Sequence, residues 1–181
     1  LEEAQAAKKA HIAAKLALAP GQRVLDIGCG WGGMAITLAK LEQVEVLGIT
    51  LSEEQLAFAR QRAEEAGVAD RVRFELIDYR DLAEGEPGRF DRIVSVGMFE
   101  HVGTRDFPAF FLKCRELLTE EGVALIHTIG RIGGPGSTDA FTRKYIFPGG
   151  YIPALSEVVP ASEGARLILT DCEILRVHYG T

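Results

Sequence analysis

Ten consecutive residues, Val24-Leu25-Asp26-Ile27-Gly28-Cys29-Gly30-Trp31-Gly32-Gly33, restrict this chain more than any other stretch. An apolar run passes into glycines and opens a helix at about Met34. Glycines at 28 and 30 let the backbone turn tightly and approach a ligand with no Cβ in the way. The helix that follows aims its free N–H groups and positive dipole end at the same point. A strand, a glycine loop and a helix in this order read as a cradle for a nucleotide cofactor. Asp26, Gly28, Cys29, Gly30, Trp31 and Gly32 are its candidate contacts. A tight turn with no ligand is the bland alternative.

The letters fit two cofactor classes. Gly28, Gly30 and Gly33 satisfy the G-x-G-x-x-G spacing of dinucleotide sites. That reading also asks for an acid about 20 residues further on, at the end of the next strand, to hold a ribose. Here that strand ends in Thr50-Leu51-Ser52, and the acid stands at Asp26, ahead of the first glycine. S-adenosylmethionine has no pyrophosphate and carries an ammonium on its amino-acid end. A carboxylate at the strand tip therefore favours it over NAD.

The remaining pattern alternates strand and helix. Helices are expected over Leu1–Leu18, from Met34 to Leu41, from a Ser52-Glu53-Glu54-Gln55 capping box to Gly67, over Thr104–Leu118 and near Ala154–Pro160. Strands are expected at Arg23–Ile27, Val44–Ile49, Val72–Ile77, Arg92–Val96 and Val123–Ile129, with a long last strand over Arg166–Tyr179. Val72, Phe74 and Leu76 alternate with charged residues, as on a sheet edge; the fourth and fifth strands are more continuously apolar, as central strands are. The expectation is one α/β domain, a doubly wound, Rossmann-like and mostly parallel sheet of order 3-2-1-4-5 plus a C-terminal strand. Ligands of such sheets sit at the carboxyl ends of the strands, beside strand one.

Composition narrows the function classes. A net charge of −6 does not favour nucleic acid as a partner. Three widely spaced cysteines with no C-x-x-C indicate neither a zinc knuckle nor a disulfide framework and fit a reducing cytosol. No apolar run approaches the length of a membrane span, and no signal peptide is visible.

The strand ends carry the chemistry. Thr50 and Gln55 offer a hydroxyl and an amide for ribose, with Leu51 between; Gln55 equally reads as the closing residue of the capping box. At Asp78-Tyr79 a carboxylate can accept from an adenine amine and a ring can stack on the base. Asp91 opens the fourth strand at the opposite edge and reads as structural. Past the fourth strand stands Glu100-His101, and His127 interrupts an apolar run near the end of the fifth. A metal is disfavoured, because no helical pair of ligands supports it. The alternative is proton chemistry, performed by these groups or by a small anion they anchor.

The stretches LDIGCGWGG, GITLSEEQ, DYRDL, FDRIVSVGMFEHVG, LIHTIG, KYIFPGGYIP and RVHYG resemble the cyclopropane-fatty-acyl-phospholipid synthase family, which includes the mycolic acid cyclopropane synthases. The resemblance implies a class I S-adenosylmethionine-dependent methyltransferase fold and methylene transfer to the cis double bond of an unsaturated phospholipid acyl chain. It implies that Gly28, Gly30 and Trp31 contact the methionine part, Thr50, Leu51 and Gln55 the ribose side, and Asp78 and Tyr79 the adenine. Glu100, His127, the backbone of Ile129 and the hydroxyl of Tyr179 would hold bicarbonate, with His101 against the cofactor. In the implied reaction an alkene attacks the sulfonium methyl, a cation forms on the chain, and bicarbonate takes a proton as the ring closes. Water must be kept out, or the cation ends as an alcohol. The apolar turn Tyr145–Pro153 either lines the acyl path or packs on the sheet. The resemblance further implies a cytoplasmic protein with peripheral contact to the inner membrane face, and family segments before and after this core, the first carrying a cysteine. A small-molecule N-methyltransferase, another acyl-chain methyltransferase and a non-catalytic S-adenosylmethionine-binding module are the competing readings.

Overall fold

The computed structural model describes residues 1–82 and 89–175. Its elements are α1 (Glu2–Leu16), β1 (Arg23–Ile27), α2 (Gly33–Leu41), β2 (Glu45–Thr50), α3 (Glu53–Glu65), β3 (Val72–Leu76), β4 (Phe90–Val96), α4 (Phe107–Leu117), β5 (Leu118–His127) and α5 (Leu155–Gly164). The strands form one parallel sheet in the expected order β3-β2-β1-β4-β5.

Period-two alternation sorts the strand side chains into two cores. Val24, Val46, Val72, Phe74 and Val94 face α1, α2 and α3 on one side. Leu25, Leu47, Ile49 and Ile93 face α4 and α5 on the other, with Phe107, Phe110, Phe111, Cys114 and Leu117 supplied by α4. Burial on both faces explains why β1 and β2 read as continuous apolar runs. Asp91 is structural, as expected: its carboxylate accepts from the Arg23 backbone at 2.8 Å and fastens the start of β1.

The structure departs from expectation at specific points. Among the described residues β5 lies on the sheet edge, and Val123–His127 are only partly buried. Its apolar run reports surface to be covered, not rank in the sheet. The last strand does not form over 166–175, which pair with no strand among the described residues. Their β-favouring composition supplies no ladder partner, and side-chain links hold the segment instead: Lys15 of α1 pairs with Asp171 and Glu173, and His11 with Glu173. Residues 176–179 of that expected strand lie outside the described residues. The capping box at α3 is half formed. Ser52 accepts from the Gln55 N–H at 3.2 Å, but the Gln55 side chain turns to Thr50. α1 is shorter than expected because Ala17 turns left-handed (φ 46°) and Arg92 takes the Leu16 and Ala17 carbonyls.

Gly32 has φ 76°, and a Cβ there would meet Phe74 Cζ at 2.7 Å and Ala59 Cβ at 2.9 Å. Both neighbours are buried core groups that cannot step aside. Gly32→Ala is expected to lower unfolding stability by about 2 kcal/mol, from left-handed strain plus overpacking, read by urea denaturation. An unchanged midpoint would show that the loop is not held against β3.

Candidate functional site

β1 delivers the chain into the glycine loop at the centre of the sheet. Two backbone amides, Gly28 N and Cys29 N, donate to Ile49 O at 3.0 and 2.9 Å and tie the loop to the end of β2. Gly28 (φ 75°) lies against Met98, and a Cβ there would stand 2.7 Å from its side chain. Gly30 (φ 53°) is different: a Cβ there would meet nothing within 4 Å. The loop is therefore closed below by packing and open above Gly30, as a ligand cradle requires.

The acid and the thiol of this motif both turn inward. Asp26 is 1% exposed, beneath the loop. The Ala35 amide, in the first turn of α2, hydrogen-bonds the carboxylate, while Oδ2 is buried without a partner. Burial pushes its pKa up to about 7, against that amide's opposing pull. Cys29 is also buried, and burial, followed by the Asp26 charge, pushes its thiol up to about 12. It stays protonated and unreactive at neutral pH, so Cys29 reaches a ligand only through its backbone. Trp31 projects half-exposed from the loop, edge-on to Phe58 with centroids 5.4 Å apart.

The neighbouring strand tips complete one wall. The Thr50 hydroxyl donates to Gln55 Oε1 at 2.8 Å, and exposed Leu51 stands beside them. Asp78 accepts from the Arg80 backbone at 2.9 Å and from its guanidinium at 2.9 and 2.6 Å. The Arg80 guanidinium holds that carboxyl below its ordinary value. Tyr79 sets its ring edge-on to Phe110 at 5.3 Å, and burial raises its hydroxyl pKa.

The opposite wall comes from the ends of β4 and β5. Val96 and His127 are register partners, and Gly97 N donates to His127 O at 3.0 Å. Phe99 is fully buried and anchors the tight turn Phe99–His101 that carries Glu100. Glu100 Oε1 accepts from Ile129 N at 2.7 Å, while Glu100 Oε2 and His127 Nδ1 are both buried without a partner. Burial lowers the His127 pKa and the Lys8 charge lowers it further, against the opposing pull of its own backbone and, less strongly, of Glu100. The imidazole is therefore held neutral at pH 7. Two orphaned polar atoms, an acceptor and an imidazole nitrogen, thus stand at adjacent strand ends; buried polar atoms demand partners, and a small polar ligand would supply them.

The structure thus brings Glu100, His127 and Ile129 together and sets Thr50, Leu51 and Gln55 along the β2 tip. His101 is exposed at the end of its turn, and Tyr179 lies outside the described residues. Hollows of about 300 Å³ beside Arg60 and Arg73, and about 630 Å³ beside Leu112 and Arg115, open elsewhere. Neither is lined by the residues of the candidate site, which is defined by its polar groups. Sequence reasoning missed Met98, which covers Gly28, and Arg62, whose Nη1 donates to Trp31 O at 2.9 Å. Neither has a local signal: each meets the loop only through the fold. No cluster of metal-ligating side chains occurs among the described residues.

The model of the mycolic acid cyclopropane synthetase family matches residues 1–181. The cyclopropane-fatty-acyl-phospholipid synthase of Escherichia coli is 46% identical over 181 residues, which cover 100% of this chain and 45% of that protein. A probable fatty acid methyltransferase of Pseudomonas putida is 42% identical over 185 residues, covering 99% of this chain and 46% of that protein. The crystal structure of mycolic acid cyclopropane synthase CmaA1 complexed with SAH and CTAB superposes with a TM-score of 0.87 at 32% identity, covering 98% of this chain and 66% of that one. The chain spans about half the length of the curated relatives it matches, 45% and 46% of these two.

Proposed function

The chain belongs to the mycolic acid cyclopropane synthetase family, and we propose that it transfers a methylene from S-adenosylmethionine to the cis double bond of an unsaturated phospholipid acyl chain. The observation that carries this reading is the pair of unpartnered atoms, Glu100 Oε2 and His127 Nδ1, at the neighbouring ends of β4 and β5, the first of which adjoins through Met98 a glycine loop that is open above Gly30.

S-adenosylmethionine fits the cradle by three features: open space over Gly30, the unpaired Asp26 oxygen below, and the Thr50–Gln55 pair at the β2 tip. When bound, it supplies a methyl group on a positively charged sulfur. Gly28, Gly30 and Trp31 would take its methionine part, Thr50, Leu51 and Gln55 its ribose, and Asp78 and Tyr79 its adenine. Asp26 would act on the ammonium from beneath the loop, through its charge. Bicarbonate fits the orphaned pair by hydrogen-bonding capacity, since its hydroxyl can donate to Glu100 Oε2 and an oxygen can accept from a neutral His127 ring N–H, and when bound it would supply a base for the proton lost at ring closure. Ile129 contributes by holding Glu100, since its N–H is already given to that carboxylate. Tyr179 would add a hydroxyl, and His101 would lie at the cofactor side.

The acyl chain would approach over residues 141–147, which lead into the apolar turn Tyr145–Pro153. Phe141, Tyr145, Ile146 and Phe147 are all more than half exposed there. The same segment is tied to the site by Tyr151 N, which donates to Glu100 O at 2.8 Å. This apolar surface supports peripheral contact with a bilayer. No helix among the described residues is long and apolar enough to cross a membrane.

The test is incubation with methyl-deuterated S-adenosylmethionine and a phospholipid carrying cis-unsaturated chains, followed by mass spectrometry of the acyl groups. Ring formation adds one carbon that keeps two of the three deuterons. An unchanged acyl mass, with methylation of an amine instead, would contradict the proposal. Acyl methylation without ring closure is a second reading, favoured by the Pseudomonas putida relative's description as a probable fatty acid methyltransferase.

Asp26 gives a pH prediction. Its carboxyl moves from 3.8 to about 7 on burial, so the ligand-free fold holds a proton that the unfolded chain has released. Stability therefore falls as pH rises between those two values. A cation in the cradle favours the ionised carboxylate, so affinity for S-adenosylmethionine is expected to rise from about pH 6 to about pH 8. Calorimetric titration checks this; Asp26→Asn should flatten the rise, and an equally steep rise in that variant would assign it to another group.

A further inference from the structure

We propose that Arg62 is a positioning residue for the cofactor cradle, fixing the Trp31–Gly32 peptide and the Trp31 indole and so setting affinity for the amino-acid end of S-adenosylmethionine. This rests on the cofactor reading above and adds to it a residue from outside the glycine motif.

The apex of the loop lies between two left-handed glycines, Gly30 (φ 53°) and Gly32 (φ 76°). Such backbone has many accessible conformations and needs external fixing. The peptide joining Trp31 to Gly32 is held at both ends. Its N–H donates to Cys29 O at 3.0 Å, inside the loop, and its carbonyl accepts from Arg62 Nη1 at 2.9 Å, from α3. The same guanidinium lies 5.9 Å from the centroid of Phe58, whose ring meets Trp31 edge-on at 5.4 Å. Arg62, Phe58 and Trp31 therefore form one unit, in which a planar cation holds a carbonyl and an aromatic ring together. The arm passes Gly33 at ordinary contact distance: a Cβ there would lie 3.8 Å from Arg62 Nη1. With Arg62 gone, the apex carbonyl turns to water and the indole loses its backing, while the packing beneath Gly32 remains.

The sequence contains one tryptophan, so indole fluorescence reports this loop alone. The experiment titrates S-adenosylhomocysteine into the unsubstituted chain, Arg62→Ala, Arg62→Lys and Arg92→Ala, by calorimetry and by Trp31 emission and anisotropy. Arg92 makes comparable bonds to backbone carbonyls, but at the end of α1, away from the crevice. Arg62→Ala is expected to bind about tenfold more weakly, as for loss of one charged hydrogen bond, with lower indole anisotropy. Arg62→Lys, which keeps the charge but not the planar fork, should fall between. Arg92→Ala should melt earlier and bind normally. Normal affinity and anisotropy in Arg62→Ala, or in Arg62→Lys should the alanine variant not fold, overturn the inference and leave the cofactor reading intact. No binding by the unsubstituted chain overturns both.

Discussion

Glu100→Gln is expected to lower turnover of an unsaturated phospholipid by roughly 10²–10⁴-fold, the scale of lost acid–base catalysis, with affinity for S-adenosylhomocysteine nearly unchanged. The amide keeps the size of the side chain and an oxygen for the Ile129 N–H, now accepted by Oε1 at 2.7 Å. What it removes is the charge, and with it the acceptor character of Oε2, the atom left without a partner in the crevice. His127→Ala should act in the same direction, because it removes the second orphaned atom. Steady-state kinetics of lipid modification, set beside calorimetric titration, separates the two quantities. Equal losses of turnover and cofactor binding would reassign both residues to binding or folding.

Phe99→Ala is expected to cost about 3–5 kcal/mol of unfolding stability, as for other buried aromatic truncations. Phe99 is fully buried, stacked on Phe107 at 4.4 Å and touching Phe110 and Phe111 at 5.1 and 5.6 Å. Three of those rings come from one face of α4, so a cavity there undercuts the layer that supports the Glu100 turn. Denaturant unfolding measures the loss, and a value below about 1 kcal/mol would show that the cluster relaxes around the void. The two substitutions would separate neighbouring residues by role, with the expected loss in stability at position 99 and in turnover at position 100.

The cradle was legible in the sequence because its causes are local. Apolar Val24 and Leu25 make a strand buried on both faces, and Gly28, Gly30 and Gly32 have the left-handed backbone that glycine tolerates. The sheet order followed from the right-handed crossover rule. The bringing together of Glu100 and His127 followed in turn, since parallel strands place all their carboxyl ends on one side. Other features depend on partners far away in the chain. Residues 166–175 have strand-like letters, but a ladder needs a neighbour, and charge pairs with α1 claim the segment instead. The edge position of β5 is likewise a property of the whole sheet. Arg62 reaches Trp31 across 31 positions of sequence, and Met98 covers Gly28 from another strand end. Gln55 shows competition between local and tertiary chemistry: the capping motif predicts a bond back to Ser52, but the Thr50 hydroxyl takes the side chain. That choice leaves the pair together at the tip of β2, where a ribose would need it.

The central claim is that a sulfonium nucleoside lies over Gly30 and faces Glu100 and His127. A crystal structure with S-adenosylhomocysteine tests it most directly. The account predicts its sulfur above the glycine loop, its ribose at Thr50 and Gln55, and the Glu100–His127 pair on the side from which a substrate would enter. Density for the nucleoside at any other place on the sheet, or a sulfur turned away from that pair, would contradict it.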